Sequence, residues 1–123
     1  MGPVGPPARL DVPVSSEHTL PNGLKVALAP LPHLHSVSVV AAVRVGSRYE
    51  TPETNGISHL CEHMLFRGTP THPSEHAFNF ALESLGGTLD ASTQTDFTAY
   101  RIRLPAAAVD GALSVLAEIF DAP

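Results

Sequence analysis

The stretch HLCEH, residues 59–63, lies within the segment VGSRYETPETNGISHLCEHMLFRGT, residues 45–69. Its spacing predicts a helix in which the side chains of His59 and His63 stack one turn apart. Glu62 follows His59 by three residues and therefore lies on the same side of that helix. Two imidazoles and one carboxylate on a single helix face indicate a metal site with an acidic group beside it.

Zinc suits this pair of imidazoles, because neutral histidine nitrogens coordinate it at about 2.0–2.1 Å and a catalytic site leaves one position open for water. The ion lowers the pKa of the bound water to about 7, and Glu62 is placed to act as the general base that takes its proton. The order H-x-x-E-H inverts the H-E-x-x-H helix and is itself a metallopeptidase signature. The alternative is a chance match on an ordinary surface helix, since the chain contains seven histidines.

Two further stretches bear on this choice, TLPNGLKVAL at residues 19–28 and LESLGGTLDASTQTDFTAY at residues 82–100. Together with residues 45–69 they resemble, in order and spacing, the start of the pitrilysin, insulysin and mitochondrial processing peptidase family of inverted zinc metallopeptidases. The resemblance covers the chain from about residue 17 to its end. It implies a zinc endopeptidase, with Zn²⁺ as its cofactor, that cleaves oligopeptides or unfolded, extended polypeptide segments.

The resemblance also implies a substrate-binding strand formed by Asp90, Ala91, Ser92 and Thr93. An exposed strand edge can pair with an extended peptide through main-chain hydrogen bonds, so cleavage would depend on substrate conformation as well as on side chains. Asp90 stands where the family commonly has Asn, and it is expected to add negative charge near the metal. Without the resemblance, these residues predict only an ordinary hairpin strand.

The metal ligand set predicted from the chain is incomplete. A catalytic zinc usually has three protein ligands, and the resemblance implies that the third is a Glu on a later helix, beyond Pro123. We therefore expect a truncated first part of a catalytic domain, which needs the C-terminal part and a second similar domain or subunit to close the chamber around a peptide substrate. Two alternatives stay open: a non-catalytic relative that acts as a partner or scaffold subunit, and an inactive fragment.

The rest of the pattern predicts an α+β fold. Strands are predicted at residues 17–20, 24–29, 36–45, 88–93 and 97–104, and helices at residues 56–66, 74–85 and 106–120. The order of strands, helices and strands favours a mixed or antiparallel sheet with the helices packed on one face. The apolar run at 36–45 predicts a central strand, and Asn55 is the predicted N-cap of the site helix. Residues 1–16 are predicted to be a flexible, Pro-rich arm, and residues 17–123 the N-terminal portion of the catalytic domain.

Composition limits the possible partners. Apolar residues make up 43% of the chain and charged residues 15%, which is typical of a globular domain. The net charge of −5 disfavours nucleic acid as a partner, because phosphate binding requires clustered Lys and Arg. No run approaches the ~20 apolar residues of a membrane span, and the N-terminus does not match a secretory signal. We therefore expect no membrane partner and a cytoplasmic location.

Several other side chains are predicted to be structural or solvated. Cys61 points about 200° around the helix from the first histidine of the motif, which predicts a buried, unreactive thiol. His72 and His76 are also four residues apart, but the capping position of Ser74 places His72 outside the following helix. We therefore expect both histidines on the solvated surface rather than at a second metal site.

Overall fold

The computed structural model of the protein describes residues 16–121. The chain divides into two compact units, Met1–Leu34 and His35–Pro123, which are described separately. The predicted Pro-rich arm at residues 1–16 lies outside the described residues except for Ser16, which begins the first strand. The division of the chain into an arm and one portion of a catalytic domain stays a prediction.

A short β-hairpin forms the described part of the first unit. Strands β1 (Ser16–Thr19) and β2 (Lys25–Leu28) pair antiparallel. The turn between them closes because the amide of Gly23 donates to the carbonyl of Leu20 at 2.8 Å. Gly23 has a φ of 87°, which a residue without a Cβ adopts at low cost. The hairpin predicted from the sequence is confirmed.

The sheet of the second unit contains the antiparallel strands β3 (Ser36–Val43), β4 (Thr88–Thr93) and β5 (Thr98–Pro105). Their order is β3-β5-β4, so β5 is central, and most of its residues are buried. The prediction of a central strand at 36–45 is wrong within the described residues, because β3 lies at an edge. Its residues alternate between exposed and half-buried positions, as expected of a strand with only one covered face.

The α-helices of the second unit are α1 (Ile57–Leu65), α2 (Glu75–Ser84) and α3 (Val109–Asp121). They confirm the predicted helices, with ends that differ by a few residues. Ser74 caps α2 as predicted, since its hydroxyl accepts a hydrogen bond from the amide of Ala77 at 3.1 Å. In the described part of the chain, no helix combines the length and the apolar character needed to span a membrane.

The hydrophobic core lies between one face of the sheet and the helices. Its fully buried side chains include Phe78 and Leu82 of α2, Ile102 of β5 and Ile119 of α3. Burial of each of these side chains contributes about 1.5–3 kcal/mol. Helix α1 packs on the same side, against β4. The predicted α+β fold, with an antiparallel sheet and its helices on one face, is confirmed.

Candidate metal and active site

Helix α1 brings the two predicted zinc ligands together. The Nε2 atoms of His59 and His63 are 2.9 Å apart, and their ring centroids are 4.6 Å apart. Two nitrogens bound to one tetrahedral zinc are separated by about 3.3 Å, so a small change of ring orientation would let both nitrogens bind one ion. The donor set therefore fits zinc, and the assignment of His59 and His63 as its ligands stays a prediction.

The described residues offer two ligands rather than a complete set. Among residues 16–121, no group of three or more His, Cys, Asp or Glu side chains is arranged to hold a metal ion. Two histidines alone hold zinc more weakly than a complete catalytic set does. The location of a third ligand beyond Pro123 stays a prediction.

The predicted general base, Glu62, is held by the sheet. Glu62 is 7% exposed, and the hydroxyl of Thr93 on β4 donates a hydrogen bond to its Oε2. The fully buried hydroxyl of Thr98 lies 3.3 Å from that of Thr93 and 3.1 Å from the carbonyl oxygen of Val45. An enclosed carboxylate needs such a donor, because it has lost most of its water. Thr93 is predicted from the sequence to lie in the substrate strand, but its contact with Glu62 joins residues 31 apart and has no local sequence signal.

Glu50 provides the acceptors for the first turn of α1. Gly56, with a φ of 88°, occupies the cap position of this helix. The carboxylate of Glu50 accepts hydrogen bonds from the amides of Gly56 at 2.8 Å and Ser58 at 2.9 Å. Hydrogen bonds from the Gly56 amide first, and then from the hydroxyl and amide of Ser58, hold the pKa of the Glu50 carboxyl below its usual range. The predicted cap at Asn55 is wrong, because the acceptor for these amides is the carboxylate of Glu50, six residues before Gly56.

The loop that carries Glu50 is anchored to the turn between β4 and β5. Arg48 forms an ion pair with Asp96 at 2.7 Å, and its amide donates to the carbonyl of Thr95 at 3.0 Å. The ion pair is exposed and contributes little to stability by itself, so the backbone contacts do more to hold the loop in place. A Cβ added at Gly46 would lie 2.6 Å from the carbonyl oxygen of Thr95. The loop and the turn are therefore packed backbone against backbone.

The predicted substrate strand is β4, which lies at an edge of the sheet within the described residues. Ala91 and Thr93 are half-buried on the face toward α1, whereas Asp90 and Ser92 are exposed on the opposite face. Asp90 pairs there with Arg101 of β5, at 3.6 Å. The Asp90 charge is therefore paired with a cation on the face away from α1, and its position relative to the metal stays a prediction. Since an edge strand presents main-chain groups to a further strand, peptide binding along β4 stays a prediction.

Two open clefts flank the motif. One cleft, of about 290 Å³, is lined by Glu62, His63, Phe66, Arg67, Glu75, Asn79, Leu89 and Ala91. The other, of about 330 Å³, is lined by Ser47, Glu50, Asn55, Gly56, His59, Thr93, Gln94 and Thr95. Each cleft reaches one of the two imidazoles, and the first also reaches the carboxylate of the predicted base. The motif is therefore accessible to a ligand from both sides.

Cys61 lies on the outer side of α1 and is exposed. On the same side, Leu60 and Met64 are 59% and 56% exposed. The prediction of a buried thiol is wrong, because the side of α1 that packs against β4 is the one that carries Glu62. Helical spacing determines the angle between Cys61 and His59, but it does not determine which side of the helix the sheet covers.

His72 is more enclosed than predicted. Its Nδ1 lies 2.9 Å from Oε2 of Glu118 on α3, and the hydroxyl of Thr69 donates to the same oxygen at 2.9 Å. The side chain of His72 is 22% exposed, so the expectation of a solvated position is wrong for this residue, whereas His76 is exposed as predicted. Through these contacts with Glu118, the loop between α1 and α2 is connected to α3.

The chain is similar to several known peptidases. The family model described as Insulinase (Peptidase family M16) matches residues 25–123. An uncharacterized zinc protease, YmxG of Bacillus subtilis, is 37% identical over 103 residues, which are 84% of this chain and 25% of that protein. A probable mitochondrial-processing peptidase subunit beta of Arabidopsis thaliana is 38% identical over 110 residues, 89% of this chain and 20% of that protein. The insulin-degrading enzyme of Drosophila melanogaster is 36% identical over 104 residues, 85% of this chain and 10% of that protein.

A solved structure shares the fold. The crystal structure of a protease from Helicobacter pylori matches with a TM-score of 0.85 at 33% identity, over 90% of this chain and 27% of that one. The chain thus spans 10% to 27% of the lengths of these proteins. At the level of the family, the predicted relationship is confirmed, and zinc, the predicted cofactor, is the metal named for the Bacillus relative. The chain belongs to the insulinase family of peptidases, peptidase family M16.

Proposed function

We propose that this chain supplies the zinc-binding and general-base segment of an inverted-zincin endopeptidase that cleaves oligopeptides or extended polypeptide segments. The proposal rests on the convergence of two imidazoles on one side of α1, where the Nε2 atoms of His59 and His63 lie 2.9 Å apart. The enclosed carboxylate of Glu62 precedes the second of these histidines directly in the chain. A carboxylate beside two convergent imidazoles fits metal-assisted hydrolysis.

Each residue of the motif has a separate role in this proposal. His59 and His63 would hold the zinc ion through their Nε2 atoms. When bound, zinc supplies a Lewis acid that polarises a carbonyl oxygen and makes water more acidic. Glu62 would accept a proton from the attacking water and return it to the nitrogen of the departing amine. The hydrogen bond from Thr93 keeps the carboxylate of Glu62 in one orientation.

The proposed substrate lies along β4. Asp90, Ala91, Ser92 and Thr93 would bind the peptide through main-chain groups, as in the addition of a strand to a sheet edge. The six residues of β4 extend about 20 Å at about 3.3 Å per residue. A short peptide or an unfolded segment can adopt this extended form, whereas a chain already folded into helices cannot.

A partner or scaffold subunit, or an inactive segment, is the second candidate. It is supported by the incomplete ligand set among residues 16–121, and the partner role is also supported by a relative from Arabidopsis thaliana that is named as a peptidase subunit. In either case, we propose that further protein completes the site: the remainder of a catalytic domain, and a second similar domain or subunit that closes the chamber.

The test combines zinc binding with peptide cleavage. Zinc stoichiometry is measured on this chain, and hydrolysis of a quenched fluorescent peptide is measured on the protein that includes the further parts proposed to complete the site. Both measurements compare the wild type, His63→Ala and Glu62→Gln. We expect His63→Ala to lose zinc, and Glu62→Gln to keep zinc but lose cleavage. His76→Ala is the matched control, because His76 is exposed and lies outside the motif.

Two outcomes would decide against parts of this proposal. Equal cleavage by Glu62→Gln and the wild type would exclude Glu62 as the general base. Zinc binding without cleavage by the wild-type protein that includes the further parts proposed to complete the site would favour the partner or scaffold subunit over the endopeptidase.

A further inference from the structure

The first turn of α1 depends on a side chain from outside the helix. Amides at a helix N-terminus lack partners within the helix and need acceptors. Gly56 at the cap position has no side chain to offer. The Glu50 carboxylate instead uses both of its oxygens, one for the amide of Gly56 and one for that of Ser58. A negative charge is also favoured at this end of a helix dipole.

The same turn carries one of the two metal ligands. His59 directly follows Ser58, so the backbone that Glu50 holds is the backbone that positions the His59 ring. Helix α1 has nine residues, and helices this short are marginal without outside support. Frayed ends of short helices move more than their centres do. His59 is the third residue of α1 and therefore lies in the turn that would fray first at this end.

The carboxylate is itself fixed in place. The loop that carries Glu50 is joined to the turn between β4 and β5 by the amide of Arg48, which donates to the carbonyl of Thr95, and by the close approach of Gly46. Glu50 also lines the cleft that reaches His59. The loop therefore connects the sheet to the first turn of the metal helix through Glu50.

We propose that Glu50 is a positioning residue that sets the zinc affinity of α1, by holding its first turn so that the two imidazoles converge. This inference rests on the proposed metal site. Loss of the carboxylate would leave the first turn free to fray, and each binding event would then include the entropy cost of reordering His59. Residues that orient metal ligands typically change metal affinity by about 10- to 100-fold when they are mutated.

The test compares zinc affinities by competition with a chromophoric chelator at neutral pH. We expect Glu50→Gln to bind zinc about 10- to 100-fold more weakly than the wild type, because its amide group can accept from one backbone amide but not from both. Glu50→Asp, which keeps the charge on a shorter side chain, should fall between the two. Glu53→Gln is the matched control, since Glu53 lies in the same loop and its carboxyl interacts, among residues 16–121, with Thr51 and its own backbone rather than with α1.

Amide hydrogen exchange provides a readout that does not require zinc. In Glu50→Gln we expect faster exchange in the first turn of α1, including the amide of Leu60, which donates to Gly56. Exchange at the buried residues of α2 should not change, and this comparison separates loss of the cap from general unfolding.

The outcomes separate this inference from the proposed function. If His63→Ala lost zinc while Glu50→Gln bound it as tightly as the wild type, the role of Glu50 would be refuted and the metal site would stand. If Glu53→Gln weakened binding as much as Glu50→Gln, a general effect of charge would replace positioning. If the wild type bound no more zinc than His63→Ala, the proposed metal site and the inference built on it would both fail.

Discussion

Replacing Thr93 by Val tests whether β4 holds the proposed general base. The change removes the hydroxyl that donates to Oε2 of Glu62 and nearly preserves the size of the side chain. Because Glu62 is 7% exposed, water can replace the lost donor only in part. A hydrogen bond to a charged group contributes about 1.5–3 kcal/mol. We expect the free energy of unfolding at neutral pH to fall by about that amount, a large share of the roughly 5–15 kcal/mol that is typical of a domain.

Urea denaturation followed by far-UV circular dichroism measures this loss, since the chain contains no Trp. A double-mutant cycle with Glu62→Met isolates the pair, because neither Val nor Met can restore the hydrogen bond. We expect a coupling energy of about 1.5–3 kcal/mol between the two positions. Thr88→Val is the matched control, since Thr88 lies on the same strand and is exposed on the opposite face.

A small coupling would refute the reasoning. If Thr93→Val were within about 0.5 kcal/mol of the wild type and the coupling were equally small, the two residues would behave as independent sites. Glu62 would then be solvated or held by another group in solution, and Thr93 would have no role in orienting the base.

Other predictions concern the packing of Gly46, the pKa values of Glu50 and Tyr100, and the reactivity of Cys61. Gly46→Ala should lower the stability by about 1–3 kcal/mol, as overpacking does, because a Cβ there overlaps carbonyl oxygens of the β4–β5 turn; a thermal melt checks this. The lowered pKa of Glu50 means that its cap stabilises the fold above the ordinary carboxyl range and is lost as the pH falls through the lowered pKa. The difference in melting temperature between the wild type and Glu50→Gln should therefore vanish in acid. Burial first, and then the charges of Glu62 and Cys61, raise the pKa of Tyr100. Ultraviolet titration should thus show a lower pKa for Tyr100 in Glu62→Gln, and an unchanged value would contradict that cause. Cys61, being exposed, should react with a thiol reagent in the native state as fast as in urea; strong protection would show that the outer side of α1 is covered in solution.

Much of the fold could be predicted because its signals are local. The β1–β2 turn follows from the conformational freedom of Gly23, and the start of α2 follows from the hydroxyl of Ser74 three residues before its partner amide. The alternation along β3 also predicts a strand, but its position at an edge could not be predicted. That position depends on which strands pair with it, and pairing joins residues far apart in the chain.

Which side of α1 the sheet covers could likewise not be predicted from the sequence. The sequence predicts that Cys61 and Glu62 point in different directions, since helical geometry sets the angle between them. Which of them is covered depends on where β4 packs, and the structure places Glu62, rather than Cys61, against that strand.

The sequence by itself determined the family of this chain, through three separated stretches that resemble it. The sequence also predicted the chemistry of the motif, because the spacing of His59, Glu62 and His63 places them about one helical turn apart. Only the tertiary structure decided what holds that turn in place. Thr93 is 31 residues from Glu62 along the chain and reaches it only because β4 packs against α1. Glu50 caps the helix from eight residues before Ser58, beyond the reach of a local capping pattern, because the folded loop returns its carboxylate to the amides that need it.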